Sequence, residues 1–163
     1  MDRNAAIAAA LAFHCPRYEE LPSLDLYLDQ VLSVINTALS AIGTEPFTGA
    51  MVSNYVKNGA MPPPVKKKYC REHLAYLMVT GLLKQVFTVQ QISTMFSIQK
   101  TTYPLSVAYD YFCTEYENAL KEAFCFTGQP LPSVETKRTE QTVLIRAMVL
   151  AAANRVYVET CYL

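Results

Sequence analysis

Charge is the scarcest ingredient of this 163-residue chain: Asp, Glu, Lys and Arg make up 17% of it, apolar residues 52%, and the formal charge at neutral pH is zero. An apolar fraction this high excludes disorder. The zero balance argues against a sequence-independent polyanion binder, so any nucleic-acid footprint must be local. With so little charge to cover the fold, part of the apolar surface is expected in an oligomer contact. Catalytic equipment is also sparse. There is no Gly-rich phosphate loop and no Gly-x-Ser-x-Gly elbow, only two histidines are present, and the consecutive Glu19 and Glu20 would point in different directions on a helix. No nucleophile stands with a base and an orienting group, so the chain is not expected to be an enzyme.

The five cysteines (Cys15, Cys70, Cys113, Cys125, Cys161) form no Cys-x-x-Cys pair and are odd in number. They read as reduced, mostly buried thiols of a cytoplasmic protein rather than a disulfide framework. His14 beside Cys15, and His73 three residues after Cys70, supply two donors each, short of the four a structural zinc site takes. No metal and no cofactor is expected. Long hydrophobic runs are missing too. Ala5 to Phe13 has the length of a signal-peptide core, but Asp2 precedes it, no Ala-x-Ala site follows, and nine residues cannot span a bilayer. It reads as an N-terminal helix stopped before Pro16, in a cytoplasmic chain with no membrane partner.

Helical periodicity dominates the remainder. Ser23 offers an N-cap for Leu24, Leu28, Val31, Leu32, Ile35, Leu39 and Ile42, with Gly43 as the stop and Asp25, Asp29, Ser33, Asn36 and Ser40 as a solvated face. A second buried face runs through Leu74, Leu77, Met78, Leu82 and Val86, and Thr88-x-x-Gln91 is a capping box opening a helix with Val89, Ile92 and Phe96 inward. Ser97 to Tyr103 reads as a boundary. Pro104 to Phe126 predicts a long aromatic-rich helix ended at Gly128, its aromatics core-facing, followed by a loop from Gln129 to Thr136. The last helix, about Thr139 to Cys161, is apolar on nearly every side, although Arg146 and Arg155 rule out a transmembrane span. It is destined either for a dimer contact or for burial within one subunit. The expected class is all-α, divided as an N-terminal helix and linker (1–22), a head (23–100) and a helical C-terminal region (101–163) for dimerisation or effector sensing, in one compact unit.

The stretch from Thr48 to Tyr69 stands apart. Thr48 caps a short helix with Val52, Tyr55 and Val56 on one face, Gly59 takes the left-handed position after it, and Ser53, Asn54, Lys57 and Asn58 lie opposite. Pro62, Pro63 and Pro64 then forbid helix, and Lys66, Lys67 and Lys68 follow on a segment expected to be extended, as the loop of a hairpin-like basic element closed by Tyr69. Between Met51 and Ala75, Lys57, Lys66, Lys67, Lys68 and Arg71 face Glu72 alone, a net +4 offset by −4 elsewhere. Asn54 and Asn58 present the donor and acceptor pairs that match adenine edges, Ser53 and Lys57 reach guanine or phosphate, and the three lysines neutralise backbone charge. Thr48, Ser53, Asn54, Lys57, Asn58, Lys66, Lys67, Lys68 and Arg71 form the candidate DNA-binding set.

The motif Asn54-Tyr55 followed by Lys57-Asn58-Gly59-Ala60-Met61 and prolines resembles the Tyr-Tyr-x-x-x-Gly-Leu-Leu-x-Pro of the MerR family of transcription regulators. Tyr69-Cys-Arg-Glu-His-Leu74 and Phe87-Thr-Val-Gln-Gln-Ile92 are similar to that family's following motifs. From Leu21 to Tyr157 the chain also resembles the bacterial domain-of-unknown-function 1836 family. The MerR resemblance implies a winged helix-turn-helix with additional N- and C-terminal helices, a recognition helix at about 48–58 and a wing at 62–69. It further implies double-stranded DNA and a second copy of the chain as partners, and a small-molecule or protein effector. The alternative is a non-enzymatic protein-interaction module on the same scaffold.

Overall fold

A computed structural model describes residues 3–100, 103–125 and 132–163, and the described residues form α-helices and no strand. In chain order they are α1 (Arg3–Leu11), α2 (Leu28–Leu39), α3 (Gly49–Lys57), α4 (Arg71–Leu83), α5 (Val89–Gln99), α6 (Leu105–Cys125) and α7 (Glu140–Tyr162), with 3-10 turns at Tyr18–Glu20 and Ser40–Ile42. The chain is all-α, as expected. Caps legible in the sequence hold their places: the Oγ1 atoms of Thr48, Thr88 and Thr139 accept from the backbone N–H of Met51, Gln91 and Thr142. The predicted stop at Gly128 lies outside the described residues, as does Phe126.

The start of α2 differs from expectation. Ser23 is not its cap and Leu24 is not in the core; the helix begins at Leu28, and Leu24 is 75% exposed. The reason is a tertiary backbone contact. Leu26 and Tyr69 exchange N–H···O bonds of 2.9 and 2.8 Å as an antiparallel bridge, which requires residues near 26 to be extended. Val31, Ile35 and Leu39 are fully buried along the predicted stripe. Asn36, placed by periodicity on a solvated face, is half-buried instead. Its side chain accepts from Phe47 N–H at 2.7 Å and donates to the Phe47 carbonyl at 3.1 Å, pinning the link into α3.

The helix buried on all sides is α4, whereas its pattern predicts one buried face. Every residue from His73 to Leu83 is buried, between α2, α6 and α7. Gly81 is the point of closest approach: a methyl there would collide with Leu39 Cδ1 and sit 2.9 Å from Phe47 Cε2. By contrast, α7 buries one side against α6, α1 and α4 and leaves Val143, Ala147 and Val158 exposed. Its two arginines are internal ties. Arg146 donates to the fully buried Glu115 at 3.0 Å and to Glu122 at 2.7 Å, and Arg155 pairs with Glu159. Glu115 also accepts from Ser133 Oγ and Val134 N–H, so its burial is matched by hydrogen bonds. No described helix is long and apolar enough to cross a membrane.

Residues 13–27 run as a strap across the helices. At one end Arg17 forks onto Glu117 of α6 at 2.8 and 2.9 Å, Cys15 N–H donates to the same carboxylate, and Tyr18 N–H donates to Asp110 at 2.7 Å. In the middle, Arg71 reaches back to Glu19 at 2.6 Å and to the Leu21 carbonyl at 3.1 Å. The far end is the Leu26–Tyr69 bridge. Burial pushes the Glu117 carboxyl up, but the Arg17 guanidinium and the Cys15 N–H outweigh it and hold it below the ordinary range.

Gly81 and Glu117 put this packing to the test. Gly81→Ala gains helix propensity of about 1 kcal/mol yet forces two buried side chains apart, so a net loss of about 1–2 kcal/mol is expected in urea unfolding. Because Glu117 has a depressed folded pKa, its contribution is fully present above its unfolded value of about 4.3 and is lost as pH falls through the folded value. Glu117→Gln should therefore be less stable near neutrality and lose less stability than the native chain on acidification below that point; parallel stability curves for the two proteins would refute the assignment.

Candidate nucleic-acid interface

Helix α3 is closed at both ends by its own sequence. Gly59, at φ +72°, donates to the Val56 carbonyl at 3.1 Å and Ala60 N–H to the Tyr55 carbonyl at 2.9 Å, a Schellman stop that only a residue tolerant of the left-handed region closes cheaply. Val52 and Tyr55 are buried, the latter edge-on to Phe47 with ring centroids 5.8 Å apart. That burial turns Ser53, Asn54 and Lys57 outward, all three exposed on one face. Asn58 has another task. Its amide donates to the carbonyl and to Oδ1 of Asn54, both at 2.8 Å, and its own Oδ1 accepts from Gln90 of α5 at 3.4 Å. Thr48 is likewise engaged as the N-cap.

The three lysines do not lie on an extended segment. Val65 and Lys68 exchange backbone bonds of 3.0 and 2.9 Å, and between them Lys66 and Lys67 both have positive φ, +50° and +64°. Two left-handed residues between bridged partners make a type I′ turn, whose twist suits a tight hairpin and whose preferred sequence is Asn-Gly. Lysine at such a position costs roughly 1–2 kcal/mol through its Cβ. The turn holds Lys66 and Lys67 out into solvent, while Lys68 lies half-buried with Nζ 5.3 Å from the centre of the Tyr27 ring.

Both legs of this hairpin are anchored. One is tied by the Leu26–Tyr69 bridge. The other is tied by His73, which with Cys70 has too few donors for a metal site and serves here as a backbone tie: Cys70 N–H donates to Nδ1 at 3.0 Å, so Nε2 carries the proton and donates to the Pro63 carbonyl at 3.1 Å. No three His, Cys, Asp or Glu side chains gather as a metal-holding group among the described residues. Arg71 faces inward to Glu19, Leu21 and the Tyr18 ring, so it positions the strap and is not displayed with the lysines.

Lys57, Lys66, Lys67 and Lys68 gather four cations between residues 57 and 68. Like the other described lysines they enter no ion pair, whereas Arg17, Arg71, Arg146 and Arg155 are each paired with a carboxylate. Around the hairpin, Leu24, Tyr27 (53% exposed) and Val65 (69%) add apolar surface that periodicity did not reveal, because the bridge rather than the pattern exposes it. A concavity of about 650 Å³, bordered by Gly59, Pro63, Glu72 and Lys100, opens beside it. A smaller cavity of about 180 Å³ lies between α5, α6 and α7, and Tyr111, whose buried hydroxyl makes no hydrogen bond of ordinary geometry, borders it.

Lys66→Asn with Lys67→Gly places preferred residues at the two positive-φ positions. The double variant should be more stable than the native chain by about 1 kcal/mol in urea unfolding; a destabilised variant would show that the turn is of another type.

The comparison with known families matches the family described as Domain of unknown function (DUF1836) over residues 16–112, which takes in the strap from Pro16 onward, α2 to α5 and the first part of α6. No curated protein and no solved structure matches the chain. The matched span exceeds half of the 163 residues, and the chain belongs to the DUF1836 family.

Proposed function

We propose that the chain is a DNA-binding transcriptional regulator with a MerR-like winged helix-turn-helix, in which α3 reads the major groove and the 62–69 hairpin is a wing on the phosphate backbone. The observation that carries this reading is the gathering of four cations, Lys57, Lys66, Lys67 and Lys68, on α3 and the turn that follows it, with no carboxylate paired to any of them. Unpaired cations on an exposed turn suit phosphate, and the Asn54 amide beside Ser53 and Lys57 suits base edges. Two lysines held in left-handed conformations fit a turn selected for what it touches rather than for its own stability. The regulator acts as a homodimer through the exposed side of α7, placing two heads about 34 Å apart or a multiple of it, to meet successive major grooves. A small-molecule effector fits the cavity beside Tyr111, between the head and the C-terminal helices.

A second reading rests on a separate observation. Leu24, Tyr27 and Val65 form an exposed apolar margin to the wing, and on this reading they are the centre of a protein-docking surface on a scaffold that binds no DNA. Binding to genomic fragments at two salt concentrations separates the two. For the regulator, changing Lys66, Lys67 and Lys68 together to Glu should weaken binding by at least about 100-fold and flatten its salt dependence by about 0.9 in log–log slope for each phosphate no longer neutralised. Native affinity in that variant would sink the DNA reading, and partner capture indifferent to the lysines would favour the docking one.

A further inference from the structure

A pair of thiols far from the lysines occupies the other end of the strap. Cys15 Sγ lies 2.9 Å from Cys113 Sγ although 98 residues separate them, and both side chains are fully buried. Cys15 heads the strap; Cys113 sits in the middle of α6. Closing from 2.9 Å to the disulfide length of about 2.05 Å needs less than about 1 Å of movement. Polar contacts hold the strap's end over the pair as a lid. Arg17 forks onto Glu117, Arg17 also donates to the Cys15 carbonyl, and the Tyr109 hydroxyl donates to the Pro16 carbonyl at 2.7 Å.

We propose that Cys15 and Cys113 are a disulfide-forming pair, oxidised by exchange with a low-molecular-weight disulfide, and that the bond clasps the strap onto α6. While the lid is closed the pair is inert, since burial pushes the Cys113 thiol well up and no reagent reaches it. Separation of Arg17 from Glu117 frees the strap's end. The Cys15 thiolate then attacks one sulfur of the reagent disulfide, whose S–S bond breaks and releases one thiolate. The Cys113 thiolate attacks Cys15 Sγ in the mixed disulfide and expels the second. Two protein thiols have lost two electrons and two protons, and the reagent disulfide has become two thiols. In a reducing compartment the pair rests as a dithiol and the bond is transient.

The consequence lies at the strap's other end, where Glu19 and Leu21 hold Arg71 and Leu26 holds Tyr69, so fixing Cys15 to α6 restrains the wing. That consequence rests on the DNA reading; the bond itself does not.

The full-length protein is incubated with oxidised glutathione, quenched by alkylation and mapped by peptide mass spectrometry. A Cys15–Cys113 cross-linked peptide is expected, with an intact mass lower by two hydrogens and a Tm raised by about 5–10 °C, all reversed by dithiothreitol. Glu117→Gln should speed the reaction several-fold, and Cys113→Ser should leave glutathione on Cys15. Free, alkylated Cys15 and Cys113 after the exposed Cys125 has been glutathionylated would overturn the proposal. DNA affinity measured on the reduced and oxidised forms separates the two ideas, because failure of both to bind removes the regulator while leaving the cross-link standing.

Discussion

Helix α4 has no free side between His73 and Leu83, and the positions of its neighbours follow from the need to cover it. A helix apolar all round cannot meet water, so α2 packs on one side, α6 and α7 on others, and Gly81 lets Leu39 and Phe47 come close enough to seal it. Because α4 begins at Arg71, immediately after the lysine hairpin, the same burial fixes the hairpin's base. Tyr69 and His73, edge-on with ring centroids 5.4 Å apart, join the core to the hairpin. The candidate reading surface is thus an extension of the core rather than a mobile appendage.

The strap gives the molecule a second set of ties. It fastens to α6 through Arg17 and Tyr18, to the start of α4 through Glu19 and Leu21, and to the lysine hairpin through Leu26. Each contact is modest alone, and exposed ion pairs such as Glu19–Arg71 contribute little by themselves. In series, however, they join α6 to the lysine turn along the strap, whose Cys15 and Leu21 are themselves part of the core.

The zero net charge loses its weight once the charges are located. Arg17, Arg71 and Arg146 stitch elements together, Arg155 pairs within α7, and the buried Glu115 is held by Arg146, Ser133 Oγ and Val134 N–H. What remains unpaired at the lysine turn and on α3 is positive. A whole-chain sum treats a part-buried, neutralised guanidinium and a free ammonium on a turn as equals, although their fields outside the protein differ greatly.

The sequence by itself determined whatever depends on neighbours a few residues apart: the all-α class, the threonine caps, the Gly59 stop, the stripe Val31, Ile35 and Leu39, and the outward set Ser53, Asn54 and Lys57. Caps and periodicity are local physics, so they can be read without knowing the fold. Tertiary structure alone decided the rest. The late start of α2 and the exposure of Leu24 come from a backbone bridge to Tyr69, the inward turn of Arg71 from Glu19, the engagement of Asn36 from Phe47, and the meeting of Cys15 with Cys113 from the packing of the strap on α6. Each is a contact between residues distant in the chain, and backbone pairing or a buried polar partner leaves no period in the sequence to betray it. The lysine turn lies between the two cases. Its charge was plain in the sequence, but its shape was not, since two lysines at left-handed positions run against local preference and are held there by a hairpin anchored at both legs.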